Sequence, residues 1–278
     1  MTGSYSQTLV LFSLLVAILA SYTALDMAGR VSTASGGVAR GWLTGGALAM
    51  GMGIWSMHFI GMLAFQLPIP VGYDLAITLY SLAVSVAASA YALWLVSKPV
   101  LPRTRLLAGG LLMGLGVATM HYLGMAAMNM QPGIDYHLGW FVLSIVVAVV
   151  AGTAALWIAF RLRGEGHRTL PLRLAASVVM GLAIVGMHYT GMAAARFPAD
   201  SICGAVSAGG IEPRWLAILV IVTTMGTIGI ALVASLFDRQ MRARTGLLAA
   251  SLERANEKLV QAALHDPLTQ LPNRMLLQ

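Results

Sequence analysis

The sequence predicts an all-α membrane protein. It has seven transmembrane helices, made of three two-helix repeats plus a seventh span, with the N-terminus outside and the C-terminus in the cytoplasm. Three observations predict this. Of the 278 residues, 58% are hydrophobic and only 10% are charged, against about 25% charged in a soluble domain. Seven apolar stretches are long enough to cross a bilayer, which takes about 20 residues each. Finally, one pattern recurs in three of them: Met-Gly, five residues, then Met-His-aromatic-x-Gly-Met.

The spans fall at roughly 8–29, 41–66, 74–97, 106–130, 138–160, 174–195 and 215–237. The loops between them alternate in charge. Arg30 and Arg40 lie between spans one and two; Lys98, Arg103 and Arg105 between three and four; Arg161, Arg163, Arg168 and Arg173 between five and six. Arg239, Arg242 and Arg244 follow span seven. The loops 67–73 and 131–137 carry no Lys or Arg, and in the 196–214 loop Arg196 and Arg214 stand with Asp200 and Glu212. Positive charge stays on the cytoplasmic side, which sets the orientation. The net charge of +7 is therefore a topology signal and not a nucleic-acid footprint. Cys203 is the one cysteine, so no intrachain disulfide forms. The first apolar stretch is too long for a cleaved signal peptide and is expected to remain.

The repeated pattern reads Met50-Gly51 with Met57-His58-Phe59-Ile60-Gly61-Met62, then Met113-Gly114 with Met120-His121-Tyr122-Leu123-Gly124-Met125, then Met180-Gly181 with Met187-His188-Tyr189-Thr190-Gly191-Met192. The histidines are 63 and 67 residues apart. Spans two, four and six run in one direction, so the three imidazoles share one depth, in the outer leaflet. A pseudo-threefold arrangement of these spans fits.

On an ideal helix the Met four residues after each His lies about 40° round from it, and the preceding Met about 100° the other way. Helical side chains lean toward the N-terminus, so Met62, Met125 and Met192 lean over His58, His121 and His188. Each span offers an N,S pair, with Met57, Met120 and Met187 close by. Imidazole with thioether favours copper, Cu(I) above all; zinc fits less well, although three histidines alone would suit it. Met50, Met113 and Met180 lie about 12 Å deeper, as a packing layer or a second thioether cluster. Gly61, Gly124 and Gly191 either let helices approach or leave room for a small ligand. Phe59, Tyr122 and Tyr189 read as a wall or as anchors at the membrane interface.

Other candidates are weaker. Asp26 and Arg30 have the spacing of an ion pair at a helix end. Asp135 and His137 read as solvated loop residues, Cys203 as an isolated soft ligand, and Gln66 and Asn129 as ordinary polar groups at helix ends.

After Leu236 the composition turns polar. Residues 238–264 read as a cytoplasmic helix with Leu248, Leu252, Ala255, Leu259 and Ala262 in alternating four- and three-residue steps, as in a coiled coil that would make a homodimer. Residues 265–278 then open a new domain with His265-Asp266-Pro267-Leu268-Thr269-Gln270-Leu271-Pro272-Asn273-Arg274.

The three Met-His-aromatic motifs in a seven-span chain resemble the bacterial MHYT sensor domain, over nearly all of 8–237. Met187-His188-Tyr189-Thr190 has the full signature; the other copies read Met-His-Phe-Ile and Met-His-Tyr-Leu, so the Thr hydroxyl is no required ligand. Ala24-Leu25-Asp26 also resembles this family's first span. The motif at 266–274 is similar to the start of a GGDEF diguanylate cyclase domain, cut short. The resemblance implies a copper site of His and Met, sensing of oxygen, carbon monoxide or nitric oxide, and a place in the bacterial inner membrane. It also implies control of a cyclic-di-GMP cyclase or phosphodiesterase. The GGDEF signature itself is absent, so this fragment is expected to have no cyclase activity. The rival readings are a soft-metal transporter or channel, a haem protein and a purely structural domain.

Overall fold

The computed structural model describes residues 1, 3–164 and 169–265. The GGDEF-like motif at 266–274 and Arg168 lie outside the described residues. Contacts divide the chain into two units, Met1–Ala231 and Leu232–Gln278.

Among the described residues, seven helices are long and apolar enough to cross a membrane. They are α1 (Gln7–Thr33), α2 (Gly36–Ala64), α3 (Leu75–Val96), α4 (Arg103–Ala126), α5 (Leu138–Leu162), α6 (Thr169–Ala194) and α8 (Pro213–Leu264); α7 is the short turn Gly204–Ser207. Each expected span is present, with shifted ends. Arg30 and Arg40 sit on α1 and α2 rather than in a loop, and α4 stops at Ala126, about one turn before the expected end.

Helices α1 to α6 pack in sequence order, and α6 closes back on α1. The glycine of each Met-Gly pair marks a crossing. A side chain at Gly51 would meet the backbone of Val86 on α3 at 2.6 Å, one at Gly114 that of Val149 on α5 at 2.5 Å, and one at Gly181 that of Ile18 on α1 at 2.9 Å. With no hydrophobic drive between helices in lipid, such close backbone packing is what holds them. At these glycines α2, α4 and α6 cross α3, α5 and α1.

Side-chain hydrogen bonds fasten the same pairs. Trp55 Nε1 on α2 donates to Ser81 Oγ on α3 at 3.0 Å, Tyr122 on α4 bonds Ser144 on α5 at 2.7 Å, and Tyr189 on α6 bonds Ser13 on α1 at 3.3 Å. The motif tyrosines thus anchor helix to helix. Phe59 is fully buried, which rules out a place at the membrane interface for the aromatic of the first copy.

One end of the bundle is capped by three two-stranded antiparallel ribbons. β1 (Ser4–Tyr5) pairs β2 (Phe65–Gln66), β3 (Met130–Gln131) pairs β6 (Ile202–Cys203), and β4 (Asp135–Tyr136) pairs β5 (Ala195–Arg196). Asn129 turns the chain from α4 into β3 with φ +48°, a left-handed geometry that Asn tolerates. Burial pushes the Tyr5 and Tyr136 phenols up to about 12, so both stay neutral and the cap gains no charge from them. Arg30, Lys98, Arg163 and Arg173 gather at the opposite end. There Asp26 is buried between Arg30, 2.9 Å away on α1, and Arg173, 3.8 Å away on α6. The expected pair of Asp26 and Arg30 is present, with a second arginine that sequence spacing could not supply.

Candidate metal centre

The histidine helices α2, α4 and α6 alternate with α1, α3 and α5 round the ring. Their 3.6-residue period turns the histidine of each toward the bundle axis, and the close crossings at Gly51, Gly114 and Gly181 hold them there. His58, His121 and His188 are each 1% exposed. Their ligand atoms all lie within 4.8 Å of one another, and they are the group among the described residues with the makings of a metal site. The Nδ1 atoms face inward: His58 to His121 is 3.1 Å and His58 to His188 is 3.2 Å. The rings stand nearly perpendicular, at 77°, 78° and 87°, with centroids 4.9–5.1 Å apart.

The outward edges follow a cycle. A methyl group at Gly124 would overlap Nε2 of His58, one at Gly191 would overlap Nε2 of His121, and one at Gly61 would overlap Nε2 of His188. Each glycine sits one turn past its own histidine and receives the imidazole of a neighbouring repeat. What each glycine makes room for is an imidazole ring of another repeat rather than the backbone of a neighbouring helix. None of the three Nε2 atoms has a hydrogen-bond partner.

This arrangement fits a metal ion. Two imidazole nitrogens bound to one ion at ~2.0–2.1 Å in tetrahedral geometry stand about 3.3–3.4 Å apart, close to the spacing seen. Without an ion, His58 Nδ1 has a single proton or a single lone pair to share between the Nδ1 atoms of His121 and His188. A cation that accepts three lone pairs removes that competition. In this arrangement the three rings stand too close for a porphyrin to lie between them.

Of the sequence-predicted methionines, Met57, Met120 and Met187 line a cavity of about 10 Å³ together with the three histidines, room for about one water-sized atom. Met62, Met125 and Met192 are buried at 2%, 0% and 4% exposure within the core toward the capped end. Cys203 is buried in the cap, where its Sγ donates to the Met128 carbonyl at 2.9 Å, and it is not part of the cluster. Asp135 and His137 are exposed.

Two features were missed in the sequence. Thr224 of α8 bonds Ser56 of α2, and Thr227 Oγ1 lies 3.4 Å from Met52 Sδ. Ser56 is two residues before His58, and the matching positions in the other copies are Thr119 and Gly186. A hydroxyl in the middle of a spanning helix was the available signal. It did not tell the buried Ser56 from Thr119, which is exposed.

Three stretches, 51–109, 114–171 and 181–246, match MHYT, the bacterial signalling protein N-terminal repeat. The chain belongs to the MHYT family. Each matched MHYT stretch carries one motif histidine and runs on into the next spanning helix, which leaves α1, not the seventh span, outside the repeat. Over 275 residues the chain is 63% identical to the bifunctional diguanylate cyclase/cyclic di-GMP phosphodiesterase MucR of Pseudomonas aeruginosa, covering 99% of this chain and 40% of that protein. It is 39% identical to the cyclic di-GMP phosphodiesterase NbdA of the same organism, covering 98% of this chain and 35% of that protein. It is also 39% identical to the signaling protein YkoW of Bacillus subtilis, over 71% of this chain and 25% of that protein. The chain thus spans well under half the length of these relatives. No solved structure matches it.

Proposed function

We propose that this chain is the membrane sensor module of a bacterial cyclic-di-GMP signalling protein, and that its stimulus acts at a copper ion held by His58, His121 and His188. The observation that carries this reading is the meeting of three Nδ1 atoms, one from each repeat, with that of His58 3.1 Å from His121 and 3.2 Å from His188. Copper, when bound, supplies a centre that can change redox state or take a diatomic gas. Oxygen, carbon monoxide, nitric oxide, a redox change or the metal itself is then the stimulus. Met57, Met120 and Met187 beside the histidines, and Met62, Met125 and Met192 one turn away, supply soft sulfur that favours copper over zinc. The names of MucR and NbdA support the cyclic-di-GMP output. The charge of the loops supports a bacterial inner-membrane protein with its capped end outside.

The bonds of Ser56 and Met52 to α8 give the route outward. Ser56 lies about 200° round α2 from His58, so a shift of the imidazole toward an ion tilts the face that grips α8. Among the described residues, this grip comes from the first repeat. Beyond it Leu248, Leu252 and Leu259 are 62%, 69% and 69% exposed, a seam for a second copy of the chain, so the output is that of a homodimer.

The test uses the full-length protein with its cytoplasmic domains, in proteoliposomes. Cyclic-di-GMP turnover is expected to differ between copper-loaded and metal-free protein, and to respond to gas only when loaded. Thr224→Val is expected to keep the copper and to shrink that difference by about 2–30-fold, the range for a coupling of ~0.5–2 kcal/mol. Equal turnover with and without metal in the wild type would overturn the reading.

A further inference from the structure

About two helical turns from the histidines toward the basic end, a second set of donors meets inside the same bundle. Met50, Met113 and Met180 each stand eight residues before a motif histidine, so they share one level about 12 Å away. They are 5%, 7% and 6% exposed. All three line one cavity of about 40 Å³ and a second of about 20 Å³ next to it. Ser21 of α1 lines the larger cavity, is 2% exposed, and its hydroxyl has no hydrogen-bond partner.

Packing does not account for this. Methionine is used in cores because it fills irregular gaps, yet here three of them surround a gap that stays open. An unpaired buried hydroxyl is costly, and a water in the cavity would not relieve it well. A buried water needs two to four polar partners, and the rest of the lining is alanine, glycine, valine, isoleucine and methionine. The donors on offer are thioether sulfur and one hydroxyl oxygen. No carboxylate or thiolate lines the cavity, so a divalent ion would keep its charge uncompensated in an apolar interior.

We propose that Met50, Met113 and Met180, with the Ser21 hydroxyl, form a second and separate site for a soft monovalent cation, Cu(I) or its analogue Ag(I). Thioethers select such ions, and the flexible methionine stems can close on an ion smaller than the cavity. The site needs nothing from the histidines and holds whether or not they bind metal.

Silver is the probe, because it has no accessible redox change. Purified protein is saturated with Ag(I), desalted, and its silver counted by mass spectrometry. Wild type is expected to keep one equivalent more than Met50/Met113/Met180→Leu, with the helical circular dichroism unchanged because Met-to-Leu conserves volume. The His58/His121/His188→Ala variant is expected to keep one, and silver absorption fine structure on that variant should show sulfur neighbours. If the Met→Leu variant holds as much silver as wild type, or if the His→Ala variant shows only nitrogen and oxygen neighbours, the thioether site is wrong. Loss of one equivalent in the His→Ala variant alone would leave the histidine centre standing while removing this one.

Discussion

Replacing Gly124 by alanine is expected to weaken metal binding by about 10–100-fold, the range found when a group that orients a ligating histidine is altered. The cause is steric. The added methyl would occupy the space of Nε2 of His58, so the ring must turn and carry its Nδ1 off the axis. His58 is the worst of the three to disturb, because its Nδ1 makes both of the short contacts in the cluster. Gly61→Ala and Gly191→Ala should act the same way through His188 and His121. Gly186→Ala on α6 is the control. Nothing lies within 4 Å of a side chain there, and alanine favours a helix by about 1 kcal/mol over glycine. Titration of copper into each variant, with thermal unfolding alongside, distinguishes a moved ligand from a damaged fold. Equal affinity in Gly124→Ala and Gly186→Ala would mean that the glycine cradle does not set the imidazoles.

The second large effect is expected at the other end of the bundle. Asp26→Ala removes the carboxylate that lies 2.9 Å from Arg30 and 3.8 Å from Arg173. The Asp26 and Arg30 side chains are 8% and 7% exposed, so the change takes the near carboxylate away from a buried guanidinium. Breaking such a pair costs about 3–5 kcal/mol, a large share of a typical stability. Arg30 also lies 4.8 Å over the Trp42 ring on α2, so α1 and α2 should loosen together. Arg173→Gln should cost less, since Arg173 is farther from Asp26 and is held by the Leu162 and Gly164 carbonyls. Replacing both partners, Asp26→Leu with Arg30→Met, should recover most of the loss, because the two buried charges are then removed together. Unfolding midpoints in one detergent would measure all three. A double variant no better than Asp26→Ala would show that the arginine is held chiefly by something else.

Much of this was legible in the sequence because lipid restricts the choices. A chain crossing a bilayer must satisfy its backbone within each helix, so length and hydropathy alone placed the seven spans. The triple copy placed His58, His121 and His188 at one level, since equal spacing on parallel helices gives equal depth. The ribbons of the cap escaped because a two-residue strand has no period to read. Which helices pair was hidden as well. The Met-Gly glycines announce a close crossing, but nothing in the pattern says that Gly181 crosses Ile18 of the first helix. The inward turn of Nδ1 depends on a side-chain torsion that sequence does not carry. The receipt of each imidazole by another repeat's glycine is likewise a relation between repeats, invisible in any one copy. The grip of Thr224 on Ser56 joins residues 168 apart. A hydroxyl stands at the matching place in the second copy too, as Thr119, so residue type alone could not single out Ser56.

The most direct test is the metal content of the purified protein, wild type beside His58/His121/His188→Ala, after loading with Cu(I) and removal of loose ions. The account predicts one copper more in the wild type than in the histidine variant, with both proteins folded by circular dichroism. Equal copper in the two, or none in either, would contradict a metal centre built from the three repeats.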